Sequence, residues 1–192
     1  MLPSEASKQV LPLLKIGGGI LAAYAAYKIL QKVGILESSE VKQVKKLLKL
    51  ANQPANVLDK NNPLLAFKPN YQKVLANDWK SKYQTFGGKG TFSPTIQFAT
   101  VTVSGAKTLR EKVNILIERL KDSKGALGDD ELSLYSVFKD INTQYQLSVI
   151  STHFRLQHEV DLLEFIKSFT NEKELLTVLT LVMKYPLYIV QK

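Results

Sequence analysis

The sequence predicts a mostly helical chain: N-terminal transmembrane and amphipathic helices, a small β element in the middle, and a C-terminal unit of five helices. Three observations lead there. Leu11 to Leu36 is the most apolar region of the 192 residues, and its centre carries no charge. From Leu109 onward apolar residues recur at spacings of three and four, the period of one helix face. Only Thr91–Val103 is dense in the Thr, Val, Ile and Phe that suit a pleated surface. The apolar fraction of 45% supplies a buried core and excludes wholesale disorder. The expected divisions are 1–37, a membrane anchor; 38–52, a basic amphipathic helix; 53–106, an arm with the small β element; and 107–192, the helical domain.

The anchor is argued from length and flanks. Ile16 to Tyr27 reads IGGGILAAYAAY, and twelve helical residues rise only about 18 Å, short of a hydrocarbon core of about 30 Å. Lys15 bounds the run on one side, and Lys28 and Lys32 on the other. Lysine buries its stem and lifts its ammonium toward headgroups, so the span extends over Leu11–Leu36, about 39 Å as a helix. Tyr24 and Tyr27 stand where interfacial aromatics belong. Gly17, Gly18 and Gly19 would each cost roughly 1 kcal/mol in a water-exposed helix. In a bilayer, small residues let helices approach, and Gly18, Ala22 and Ala26 form a stripe spaced by four. A buried core helix and a secretory signal cleaved after Ala25 are the alternatives, and Glu5 and the glycine interruption weigh against the signal.

Ser38 to Asn52 reads as an amphipathic helix. Ser38 or Ser39 caps it and Glu40 sits in its first turn. Val41, Val44, Leu47, Leu48 and Ala51 form an apolar stripe; Lys42, Lys45, Lys46 and Lys49 cover the other side. Directly after an apolar anchor, these lysines suit an anionic leaflet, where each contributes about 1 kcal/mol. A solvated face of a soluble helix is the alternative. Gln53 to Phe67, with Pro54, Asn61, Asn62 and Pro63, is expected as a linker or irregular arm. Asn70 to Tyr83 is expected as a short helix whose Tyr71, Val74, Leu75 and Trp79 pack a core. Gly87, Gly88 and Gly90 mark a turn before the β element; they lack the spacing of a phosphate loop. A lone strand or hairpin is marginal, so a second chain or another segment is expected to complete it. The C-terminal runs begin at Lys107, at Asp129–Glu131, at Asn142–Thr143, at Val160, and at Glu172. Asn171 caps the last, and Pro186 stops it.

Charge and residue types limit the chemistry. The net charge is +9, and residues 1–110 hold sixteen Lys and Arg against five Asp and Glu, whereas residues 111–192 hold ten against twelve. The basic half points to an anionic membrane or nucleic acid. The chain has no cysteine, which excludes a disulfide scaffold, thiolate metal sites and a cysteine nucleophile. Its two histidines, His153 and His158, are five apart and do not share a helix face. Asp129, Asp130 and Glu131 are explained by a helix N-terminus, Asp161 and Glu164 by an acidic surface, and Ser148 and Ser151 lack a base and acid at triad spacing. No enzyme activity, cofactor, metal site or small-molecule substrate is expected. Tyr71, Trp79 and Tyr83 among Lys68, Lys73, Lys80 and Lys82 offer a stacking surface for nucleic acid, but a lysine face over an aromatic core is the favoured reading.

Two resemblances add to this. The Lys124-Gly125 turn with Gly128 ahead of Asp130-Glu131, the Asn142-Thr143-Gln144…Gln146 helix start, Asp161-Leu162-Leu163 running to Lys167-Ser168, and Val178-Leu179…Val182-Met183-Lys184 before Pro186 resemble a single annexin-type repeat. With Lys107–Asp122 as its first helix, the likeness covers about eighty residues. It implies five helices and a family of calcium-dependent binders of anionic membranes. The calcium loop departs from the family: Gly125-Ala126-Leu127-Gly128-Asp129 is one residue longer and lacks its threonine, and Phe169 falls at the acidic ligand position. Calcium takes oxygen donors, so the fold is expected without the ion site. The order of segments, with the GGG anchor, Asn62-Pro63 and Pro69-Asn70-Tyr71, is also similar to a group of small structural proteins of bacteriophages that infect Bacteroidetes-type hosts. That likeness implies a minor capsid or vertex protein of a virion, at an internal membrane or the membrane–capsid interface, with other virion proteins or copies of itself as partners. The combined expectation is a structural protein that anchors a protein assembly to a membrane. The alternatives are a peripheral annexin-like lipid-binding module and a nucleic-acid-binding virion protein.

Overall fold

A computed structural model describes residues 38–53, 61–83, 92–125 and 131–190. The chain divides into two units, Met1–Gln43 and Val44–Lys192. Of the first, residues 38–43 are described. They open helix α1 (Ser39–Ala51), where the Ser38 hydroxyl accepts the Val41 N–H at 3.1 Å.

Among its described residues, the second unit carries the rest of α1 and then helices only. A 3₁₀ helix at Pro63–Phe67 is followed by α2 (Tyr71–Tyr83), α3 (Pro94–Gln97), α4 (Leu109–Asp122), α5 (Glu131–Asp140), α6 (Gln144–His158), α7 (Leu162–Lys167) and α8 (Glu172–Val182). The described residues are mostly helical and contain no strand. Helices α4 to α8 are the five runs expected from the periodicity. Their starts obey local chemistry. Thr108, Thr143 and Asn171 each accept from the backbone of the third residue on, and Glu111, Gln146 and Glu174 reach back to the cap. Such reciprocal capping satisfies donors that a helix start leaves open.

One hydrophobic core runs from Val44 and Ala51 through Leu64, Leu75, Leu116, Phe138, Phe154 and Leu179 to Tyr188. Two expectations for the middle of the chain are corrected here. Residues 63–67 are not linker: Leu64, Leu65, Ala66 and Phe67 are buried. Asn62 caps this turn by accepting the Leu64 N–H, and its amide also donates to the Leu50 carbonyl at 2.7 Å. The β element expected at Thr91–Val103 is absent from the described residues 92–103. Pro94 starts α3, its missing N–H costing nothing at that position. Phe98, Val101 and Val103 are then buried one by one by turns. Their β propensity reflects fitness for burial, and helices supply that burial here.

The backbone of this stretch finds side-chain partners instead of a ladder. The Gln97 amide accepts the Ile189 N–H at 2.7 Å and donates to the Ile189 carbonyl at 2.9 Å. One side chain thus stands in for a neighbouring strand. Lys112 Nζ donates to the Phe98 carbonyl at 2.9 Å, and Gln146 Nε2 donates to the Gln97 carbonyl.

After α8 the chain turns back as a strap. Gln144 N–H donates to the Pro186 carbonyl at 2.9 Å and Tyr145 N–H to the Leu187 carbonyl at 3.0 Å. With the Thr143 hydroxyl taking the Gln146 N–H and the Gln146 Oε1 taking the Thr143 N–H, all four open donors of α6 are filled. Tyr185 OH donates to the Phe138 carbonyl, and Tyr188 OH to the Asp78 carboxylate at 3.0 Å.

Candidate membrane-contact surface

The anchor residues Lys15, Gly17, Gly18, Gly19, Ala22, Tyr24, Tyr27, Lys28 and Lys32 lie outside the described residues. Among the described residues, no helix is long and apolar enough to cross a membrane.

The lysines of α1 are placed. Lys42 is exposed on the first unit; Lys45, Lys46 and Lys49 are exposed on the second. The apolar residues between them are already engaged. Val44 and Ala51 are buried, and Leu47, Leu48 and Leu50 pack against the core. A helix lying in a bilayer interface must offer its apolar face to lipid. Over Val44–Ala51 this helix gives that face to its own protein, and what it leaves outward is charge. Any lipid contact of this stretch is therefore electrostatic, acting within a Debye length and weakened by salt.

The aromatic residues of α2 are likewise committed. Tyr71 and Trp79 are buried. Tyr83 is stacked 5.4 Å from Trp79, and Phe92 lies 5.5 Å from Trp79. Of these rings Tyr71 and Trp79 are closed to a stacking base, and Tyr83 and Phe92 are half-buried. Lys82 is bound to Asp78 at 3.0 Å, and Asp78, at 7% exposure, also receives the Tyr188 hydroxyl. Burial pushes the Tyr188 phenol up, and the neighbouring Asp78 carboxylate adds to the effect.

Of the loop compared with a calcium site, Gly128, Asp129 and Asp130 lie outside the described residues. The other half is visible. Phe169 is half-buried with its ring 5.3 Å from Phe165, which lies 5.0 Å from Phe154. The Lys124 ammonium stands 5.5 Å over the Phe165 ring and 3.2 Å from the Ser168 hydroxyl. Phe169, expected from the resemblance at the acidic ligand position, thus belongs to an aromatic cluster beside a cation. Among the described residues, no group of three His, Asp or Glu side chains is placed to hold a metal ion.

Several other residues singled out by the sequence have structural partners. Asp161 pairs with Arg155 at 2.8 Å and Glu164 with Lys167 at 2.9 Å, so the two carboxylates face different cations. Ser148 Oγ accepts the Gln72 N–H at 2.7 Å and lies 2.9 Å from the Gln72 side-chain oxygen. Thr152 Oγ1 accepts the Asn70 N–H at 2.8 Å. These hydroxyls of α6 thus serve the start of α2. Asn70 takes a left-handed conformation there (φ 67°), which asparagine tolerates better than most residues. Ser151 is buried and donates to the Ala66 carbonyl at 3.3 Å. His158 is half-buried with its ring 4.7 Å from Phe154.

Two surface features escaped the periodicity. A wide depression of about 850 Å³ at the end of α6 is bordered by Lys68, Arg155, Glu159 and Asp161, with Leu156 in it at 74% exposure. A narrower groove lies between α4 and α6. Neither has a motif in sequence, because each is built from residues distant along the chain. No family model, curated protein or solved structure matches this chain.

Proposed function

We propose that this protein is structural and fixes a protein assembly to a membrane, with residues 11–36 as the anchor and 44–192 as the folded unit it holds there. The observation that carries the reading is the apolar segment with a charge-free centre and lysine flanks, followed in the chain by a helix that turns lysines outward. The fate of the apolar face of α1 supports a division of labour. The core takes Val44 and Ala51, so attachment by insertion falls to residues 11–36 and the lysines add attraction to an anionic leaflet. The resemblance to small phage structural proteins extends the proposal to a virion with a lipid component. Other virion proteins or copies of this chain are the partners there.

The test is fractionation of the full-length chain and of a chain lacking residues 1–36, each expressed with membranes and washed at high pH and high salt. The full-length chain is expected to stay with the membranes and the truncated chain to wash off. Equal release of both would remove the anchor from the account.

A further inference from the structure

We propose that the groove between α4 and α6 binds a single-chain amphiphile with an anionic headgroup, its tail on Leu109, Val113 and Val149 and its head at Arg110 and His153. Two rows of side chains build the groove. Val149, His153 and Gln157 follow one another at four-residue spacing on α6, and Leu109, Val113 and Asn114 face them from α4. One position is closed by a hydrogen bond across the gap, from Gln157 Nε2 to Asn114 Oδ1 at 3.3 Å. The open groove has a volume of about 520 Å³, within the range of about 300–1,000 Å³ typical of small-ligand sites.

The lining decides the ligand class. The floor is aliphatic: Val113 is buried, and Leu109 and Val149 are half-covered and pack against the core. Arg110 and His153 are the basic groups of the lining, and no carboxylate lines it. Arg110 forms no ion pair among the described residues and is exposed, so its charge is open to a ligand. The nearest acid in sequence, Glu111, is engaged by the Lys107 and Thr108 backbone at 2.6 and 2.9 Å, and those bonds hold its carboxyl below the ordinary glutamate value. A hydrocarbon tail matches the floor, and a carboxylate or phosphate matches a guanidinium fork. A cationic or neutral head leaves Arg110 without a partner. Fatty-acid carboxylates and single-chain lipid phosphates share this chemistry. The site lies wholly within the second unit and does not depend on the anchoring proposal.

The experiment is photolabelling of the full-length chain, mixed with phosphatidylcholine nanodiscs whether or not it embeds in them, with a diazirine-bearing dodecanoate, the adducts mapped by peptide mass spectrometry. Adducts are expected in residues 109–114 and 149–157. Dodecanoate and dodecyl phosphate should compete, the stronger of the two marking the source as fatty acid or lipid phosphate. Dodecyltrimethylammonium should not compete. Arg110→Gln, a change at an exposed position, is expected to lower groove labelling about tenfold while urea unfolding stays unchanged. Val149→Gln should lower it through the floor. Adducts found only elsewhere, such as in residues 11–36, would overturn the proposal. So would groove labelling that Arg110→Gln leaves unchanged or that the ammonium amphiphile removes equally well.

Discussion

Replacing Gln146 by leucine is expected to be among the most damaging single changes in this protein. Gln146 is 0% exposed and satisfies three backbone groups. Its Oε1 accepts the Asn142 N–H at 2.8 Å and the Thr143 N–H at 3.2 Å, and its Nε2 donates to the Gln97 carbonyl. Leucine fills similar space but leaves all three without partners. A buried orphan of this kind costs about 1–3 kcal/mol. Thr143 and Gln97 are buried, whereas Asn142 is half-exposed and recovers part of its loss from water. The sum is about 2–6 kcal/mol, against a total stability of about 5–15 kcal/mol for a domain. With a urea slope of about 2 kcal/mol per M, the midpoint should fall by roughly 1–3 M. Trp79, the single tryptophan and a core residue, reports the transition. Gln146→Glu sharpens the test. Its carboxylate keeps both acceptor bonds, which favour the charged form, but complete burial and the facing Gln97 carbonyl outweigh them and raise its folded-state pKa above about 4.3. Stability should then be highest below that pH and fall as pH rises through the folded-state value. A Gln146→Leu midpoint within about 0.5 M of the parent, at unchanged slope, would refute the reasoning.

Two further outcomes are expected. Burial raises the phenols of Tyr185 and Tyr188, so above about pH 10 the unfolded chain loses these protons first. Stability should hold below that pH and decline above it by up to about 1.4 kcal/mol per pH unit per tyrosine; melting curves between pH 9 and 12 should show a shallower decline in Tyr188→Phe. Calcium at 1 mM is expected to leave the melting temperature of the full-length chain unchanged, because the resemblance to an annexin-type repeat puts Phe169, which has no oxygen donor, at the acidic ligand position. A rise of several degrees, a few kcal/mol of linkage, would show a working ion site and favour the lipid-binding alternative.

The helical part of the fold was legible because its signals are local. Thr143 with Gln146 and Asn171 with Glu174 are cap pairs three residues apart, and α2 and α4 to α8 begin near where such signals put them. The middle of the chain was not, because its order comes from distant residues. Nothing near Gln97 announces that its amide pairs with Ile189, ninety-two positions away, and Thr, Val and Ile at 95–103 suit a strand equally well. Leu64 and Leu65 sit among prolines and asparagines that read as loop, yet α6 is close enough to bury them. On the candidate site, the exposure of the α1 lysines was legible from the amphipathic pattern, but the destination of its leucines was not. An apolar stripe looks the same whether a core or a lipid surface covers it. The groove at Arg110 and His153 was invisible for the same reason as the Gln97 pairing: its two walls are about forty residues apart.

The central claim is that residues 11–36 lie within the bilayer, and the absence of cysteine from the chain makes it directly measurable. Single-cysteine variants Ala22→Cys and Ser39→Cys are reconstituted in vesicles containing anionic lipid and treated with a maleimide that does not cross membranes. Inside-out and right-side-out preparations are compared, then opened with detergent. The account predicts that the Ala22→Cys thiol stays unlabelled in every intact preparation and reacts only after detergent, whereas the Ser39→Cys thiol reacts from whichever side carries it. Labelling of the Ala22→Cys variant in intact vesicles at the rate of the Ser39→Cys variant would contradict it.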